Sequence, residues 1–171
     1  MGSLKETKEI QRKRISEYVK LRPRAEYHPG CSGIWQIPCG IAIPCATQNE
    51  LDINAARALV ANGCLAVAEG ANMPCTPEAM DFLQDHILFA PSKAANAGGV
   101  AVSALEMSQN SMRISWDFAD VDARLNTIMR DLYRNVADAA AAYGTPGNLV
   151  AGANIAGFLK VADAMLAHGM V

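Results

Sequence analysis

GIAIPCATQNELDINAARALVANGCLAVAEGANMPCTPEAMDFLQDHILFAP, residues 40–91, decides the fold, because short apolar runs alternate in it with helical patterns. The runs Gly40 to Pro44, Leu65 to Glu69 and Ile87 to Pro91 read as strands. Their unbroken apolar character, without in/out alternation, is what a parallel strand covered by helices on both faces requires. Between them lie a helical pattern over Ile53 to Asn62, closed by Gly63, and a short helix with Thr76 as N-cap and Pro77 at its first position. Strand, helix, strand, helix, strand predicts right-handed crossovers into a parallel sheet, and ligands of such sheets sit outside the carboxyl ends of the strands.

Outward from this segment the pattern becomes helical. Toward the N-terminus, Leu4 to Leu21 is charged with apolar insertions at Ile10, Ile15, Tyr18 and Val19, which predicts a surface helix ended near Pro23. A weaker run near Arg24 to Tyr27 reads as a further strand. After Pro91 three helices are expected, at Val100 to Met112, Phe118 to Ala142 and Val150 to His168. Asp117 is the expected N-cap of the second and Gly144 its stop, while Gly169 closes the third. On the last helix Ile155, Phe158, Leu159, Ala162 and Leu166 form one apolar stripe, read as core packing.

Composition narrows the function classes. At 171 residues the chain suits one ordinary domain, and with 51% apolar residues but only 6% aromatic its core must rest on Ala, Val, Ile and Leu. No run of about 18 consecutive apolar residues is present, and the basic start lacks a signal-peptide core, which disfavours membrane insertion and secretion. Residues 1–24 hold eight Lys/Arg against three Glu, and the remainder seven against fourteen acidic residues, so the basic charge is local. A solvated helix face explains it better than nucleic-acid binding, which calls for a basic domain with interleaved aromatics. Cys31, Cys39, Cys45, Cys64 and Cys75 form no Cys-x-x-Cys pair, which argues against a disulfide framework or thiolate zinc site and fits a reducing cytoplasm.

Three loops follow the strands and could carry chemistry. Cys45-Ala46-Thr47-Gln48-Asn49-Glu50 offers hydroxyl and amide groups suited to a ribose or carboxamide, although ordinary capping uses the same residues. Cys45 reads as a small packing residue rather than a nucleophile. In Glu69-Gly70-Ala71-Asn72-Met73-Pro74, small residues allow close backbone approach and Asn72 offers a donor and an acceptor; a tight turn would use them equally. The third runs from Pro91 to Val100, where Gly98 and Gly99 would free backbone amides at a helix start, a geometry that can hold a carboxylate or phosphate, and Lys93 could add charge, although a lone Lys is usually solvated. Neither G-x-G-x-x-G nor a P-loop occurs, and His28, His86 and His168 have no metal-ligand or triad spacing.

The wording of these loops is specific. IPCATQNEL (43–51), AVAEGANMP (66–74), FAPSKAANAGGVAVSALEMSQN (89–110) and VAGANIAGFLKVADAMLAHG (150–169) together resemble the C-terminal part of bacterial NADP-dependent glutamate dehydrogenases, within the glutamate/leucine/phenylalanine/valine dehydrogenase superfamily. The resemblance implies an α/β chain holding a partial Rossmann-like parallel sheet with flanking helices and a C-terminal helical segment. Residues 1–171 would form the later half of a dinucleotide-binding domain, with 5–91 alternating helix and strand and 92–171 mainly helical.

It also implies interconversion of L-glutamate and 2-oxoglutarate plus ammonia with NADP, NAD remaining open. By resemblance, Ala46, Thr47 and Gln48 would line the cofactor's ribose and diphosphate side, Asn72 the nicotinamide ribose, and Asn96 the carboxamide. Val100 and Ser103 would face the substrate, the Ser103 hydroxyl donating to the glutamate side-chain carboxylate. The family's catalytic Lys and Asp and its Gly-rich loop are expected upstream, so this chain would be an inactive fragment with no catalytic residue and no metal. Glutamate and 2-oxoglutarate would be its small-molecule partners, in a cytoplasmic homo-oligomer without nucleic acid or membrane. A non-catalytic nucleotide or dicarboxylate binder, or a helical interaction element, would look the same in these residues.

Overall fold

A computed structural model describes residues 2–30 and 32–169; Cys31 lies outside the described residues, as do the two C-terminal positions. Two compact units divide the chain, residues 1–34 and residues 35–171. In the first, the expected surface helix is broken. Helix α1 spans Gly2–Lys5, a wide π-turn follows at Glu6–Ile10, a single tight turn occupies Ile15–Glu17, and α2 spans Tyr18–Leu21. Arg12 is in the left-handed region at φ 49°, which interrupts helical geometry and which periodicity does not reveal. Arg24 to Tyr27 forms no strand; exposed Arg24, Glu26 and Tyr27 leave it no face to bury.

The second unit holds the sheet. Strands β1 (Ile41–Ala42), β2 (Ala66–Ala68) and β3 (Leu88–Ala90) pair in parallel in the order β1-β2-β3. Their crossovers are α3 (Ile53–Ala61) and α4 (Pro77–His86), and the strands are shorter than the apolar runs that announced them. Asp52 caps α3 by accepting from Ala55 N, and Thr76 caps α4 by accepting from Ala79 N, with Pro77 at its first turn. Gly63 follows α3 at φ 80°, a geometry that favours glycine.

Only one face of this sheet is fully covered. Ala42, Val67 and Phe89 share a row and are buried under Leu59 of α3 and Leu83 of α4. The next row, Ile41, Ala66 and Leu88, points the other way, and Ile41 and Leu88 are 63% and 61% exposed. Crossovers of one hand running in one direction place both helices on the same side, so the second face needs other elements. They arrive only at its carboxyl end, where Ala90 packs against Ala94, Val136 and Leu149. The expected two-sided burial is therefore corrected: among the described residues it is one-sided.

The C-terminal part is helical as expected. Helices α5 (Ser92–Ala95) and α6 (Ala97–Met112) follow β3, then α7 (Phe118–Ala142) and α8 (Leu149–His168). Asp117 caps α7, Asn148 caps α8, and Gly144 and Gly169 stand at their ends with positive φ. The α7–α8 contact is close at Gly152, where an added Cβ would run into the Val136 carbonyl oxygen and come within 3.0 Å of Ala140 Cβ. Beyond this contact α8 loses its cover. Phe158 is 70% and Leu166 75% exposed, so the apolar stripe is not core of the described chain, a second correction. By length and composition alone α8 could cross a membrane, which the absence of an uninterrupted apolar run did not reveal.

Candidate functional site

The three loops meet at the carboxyl edge of the sheet, and the β2 loop is their hub. Toward β1, Gly70 N and Ala71 N both donate to Pro44 O, at 3.0 and 2.9 Å, while Asn49 N donates to Met73 O and Leu51 N to Pro74 O. Gly70 suits this close approach. A Cβ there would collide with Cys45 Sγ and lie 3.3 Å from Ile43 Cγ2. Toward β3, Asn96 Nδ2 donates to Ala71 O at 3.2 Å.

Glu69, at the end of the central strand, is 3% exposed, and its carboxylate reaches both sides. Oε1 accepts from Cys75 N at 3.2 Å and Oε2 from Ser92 N at 2.7 Å. Burying a carboxylate costs several kcal/mol, which these charge-assisted bonds offset only while both donors stay in place. The Cys75 thiol sits in the same environment: burial first, then the Glu69 carboxylate, push its pKa far above the usual thiol range. It is therefore a neutral packing group, inert as a nucleophile. Glu69 was missed as a site residue because Glu is read by default as solvated; its position at the last residue of an apolar run was the available signal.

The sequence-predicted residues are placed as follows. Ala46, Thr47, Gln48 and Asn72 are exposed on the loops at this edge, and Asn96 is half-buried at the α5–α6 junction. The backbone amides of Ala46 and Thr47 are engaged by Glu50 Oε1, at 2.7 and 3.3 Å, so the first loop is carboxylate-capped and presents side chains rather than amides. Val100 and Ser103 are exposed one turn apart on α6, and Ser103 Oγ donates to Gly99 O at 3.2 Å. Gly99 N donates to Asn96 O, so the Gly99 amide expected to be free is engaged at the α5–α6 junction, and a Cβ added at Gly98 would sit in ordinary contact, 3.6 Å from Leu125 Cδ1 and Met129 Sδ of α7. Lys93, expected to be solvated, donates to Asn154 Oδ1 of α8 at 2.6 Å.

Behind the loops is a pocket of about 430 Å³ lined by Gln48, Glu69, Met80, Ser92, Lys93 and Asn154 among others. Of the predicted site residues only Gln48 borders it. A hollow of about 710 Å³ at the start of β3, lined by Ile87 and Leu88, is at the wrong end of the strand for a ligand of a parallel sheet. The exposed hydroxyl and carboxamide groups of the loops suit a sugar and a carboxamide, the neutral parts of a dinucleotide. The histidines are structural or superficial: His86 Nδ1 lies 2.7 Å from Phe82 O with its ring stacked on Phe82, and His28 lies 3.4 Å from Glu26. No group of His, Cys, Asp or Glu able to hold a metal occurs among the described residues.

The sequence profile of the Glutamate/Leucine/Phenylalanine/Valine dehydrogenase family matches residues 1–169. The chain belongs to this family. It is 51% identical over 174 residues to an NADP-specific glutamate dehydrogenase of Helicobacter pylori, covering 98% of this chain and 39% of that protein. Its identity to the NADP-specific glutamate dehydrogenase of Escherichia coli is 59% over 141 residues, covering 80% of this chain and 31% of the relative. A crystal structure of Plasmodium falciparum glutamate dehydrogenase superposes with a TM-score of 0.89 at 44% identity, over 97% of this chain and 36% of that one. The chain thus spans under two-fifths of the length of these family members.

Proposed function

We propose that this chain is part of an NADP-dependent glutamate dehydrogenase, which interconverts L-glutamate and 2-oxoglutarate plus ammonia, and that it supplies one wall of the cofactor cleft. The observation that carries this reading is the convergence of the β1, β2 and β3 loops, tied through Pro44, Glu69, Ala71 and Asn96, on one carboxyl edge. The NADP-specific names of the relatives from Helicobacter pylori and Escherichia coli support NADP over NAD.

Thr47 and Gln48 beside Ala46 line the ribose side, Asn72 faces the nicotinamide ribose, and Asn96 keeps its carboxamide oxygen for the nicotinamide amide. With one amide hydrogen committed to Ala71, this orientation is fixed. Val100 and Ser103 form the substrate wall; the Ser103 hydroxyl turns from Gly99 O to donate to the glutamate side-chain carboxylate. NADP, when bound, supplies the hydride chemistry, and the residues here hold the ring and substrate at reacting distance. Groups that move the substrate's protons belong to the remainder of the protein, a cytoplasmic homo-oligomer in this reading.

Calorimetric titration of the 171-residue chain with NADPH, beside a turnover assay, tests this. Saturable binding with a stoichiometry of one and no turnover is the expected result. No heat at millimolar NADPH, or turnover by the chain alone, overturns the reading.

A further inference from the structure

Resting on that reading, we infer that Glu69 is the positioning residue of the cofactor edge: its buried carboxylate clamps the loop carrying Asn72 to the turn carrying Asn96. Three observations carry it. Glu69 is the only carboxylate among the fully buried described residues, and the two donors it engages lie on different segments, Cys75 at the far end of the β2 loop and Ser92 at the first residue after Pro91. The bond to Cys75 closes the loop that contains Asn72. The bond to Ser92 starts the turn that presents Asn96, and Asn96 returns across the gap to Ala71.

The two bonds fix a separation as well as add stability. Asn72 sits three residues from each end of the closed loop, whose two ends the Glu69–Cys75 bond holds together, and Asn96, four residues past Ser92, is held at its side chain by Ala71 O. A carboxylate alone satisfies this geometry, because both donors are backbone N–H groups and both positions must accept. Glutamine would set an NH₂ group against one N–H, and aspartate falls a methylene short.

Glu69→Gln and Ser92→Pro test the clamp from its two sides. Proline at 92 deletes the donor while leaving the carboxylate, and Pro91 at φ −70°, ψ 152° already has the conformation a following proline demands. Leu83→Val, a core change remote from the edge, controls for general loosening. Amide hydrogen exchange is read first, without ligand: Glu69→Gln should speed exchange at Cys75 and Ser92 at least about tenfold while Val67 and Phe89 keep their protection. In NADPH titrations both edge variants should weaken affinity about tenfold, and Leu83→Val should leave it within about twofold.

Unchanged exchange at Cys75 and Ser92 overturns the clamp. So does full affinity in both edge variants, or an equal loss in Leu83→Val. A wild-type chain without NADPH affinity would instead overturn the proposed function, with the clamp still decided by amide exchange.

Discussion

Ser103 and Cys75 show how much a side chain's role depends on its partners. In the complete enzyme, Ser103→Ala should raise KM for glutamate about tenfold and leave KM for NADP within about twofold, since a lost hydrogen bond to a charged group costs roughly 1.5–3 kcal/mol at the substrate alone. Equal loss on both substrates would show that Ser103 merely stabilises α6 through Gly99. Cys75 makes a pH prediction. Its raised thiol pKa means that in alkali the folded chain binds a proton the unfolded chain has lost. Stability is unaffected below about pH 8.5 and falls above it, by up to about 1.4 kcal/mol per pH unit. Cys75→Ala should flatten that alkaline limb in urea unfolding; an unchanged slope would mean the buried thiol ionises normally. Residue types and order made the convergence of the three loops on one sheet edge legible in sequence, but the partners of Glu69 lie six and 23 positions away and become visible only when the strands pair.

Among the elements, helix ends were the most readable, because caps are local hydrogen bonds. Thr76, Asp117, Gly144 and Gly169 all stand where their chemistry placed them. Thr76→Ala should cost about 1 kcal/mol, seen as a lower urea midpoint at constant m-value. Gly152→Ala should cost more, about 1–3 kcal/mol, since the new Cβ meets the Val136 backbone carbonyl and cannot be accommodated by a side-chain rotation. Unchanged or higher stability would refute the close α7–α8 approach, because alanine is the better helix former. Two expected elements failed: the strand near Arg24 to Tyr27 did not form, and the helix over Leu4 to Leu21 broke at Arg12, where the backbone takes a left-handed turn that no spacing of apolar residues encodes.

At the scale of the whole molecule, two apolar surfaces lack cover among the described residues: the sheet face of Ile41, Ile43 and Leu88, and the outer face of α8 at Phe158, Val161 and Met165. Surfaces of this kind, with the free backbone edge of β1, drive association. The isolated chain should therefore scatter light as a dimer or larger species, and replacing Phe158 and Met165 with Gln should move it toward 18.2 kDa. A monodisperse monomer in the unsubstituted chain would show that these faces tolerate water.

Legible in the residues alone were the strand–helix alternation, the parallel order of the sheet, the caps at Thr76 and Asp117 and the three loops that carry the family's wording. These follow from local propensity and from the rule that ligands gather at strand carboxyl ends. Which face of each element is buried, and that Glu69 rather than a glycine nest organises the edge, came from the packing of distant segments. Periodicity reports that a face is apolar without naming what covers it, and a buried carboxylate is recognisable only once distant backbone donors close around it.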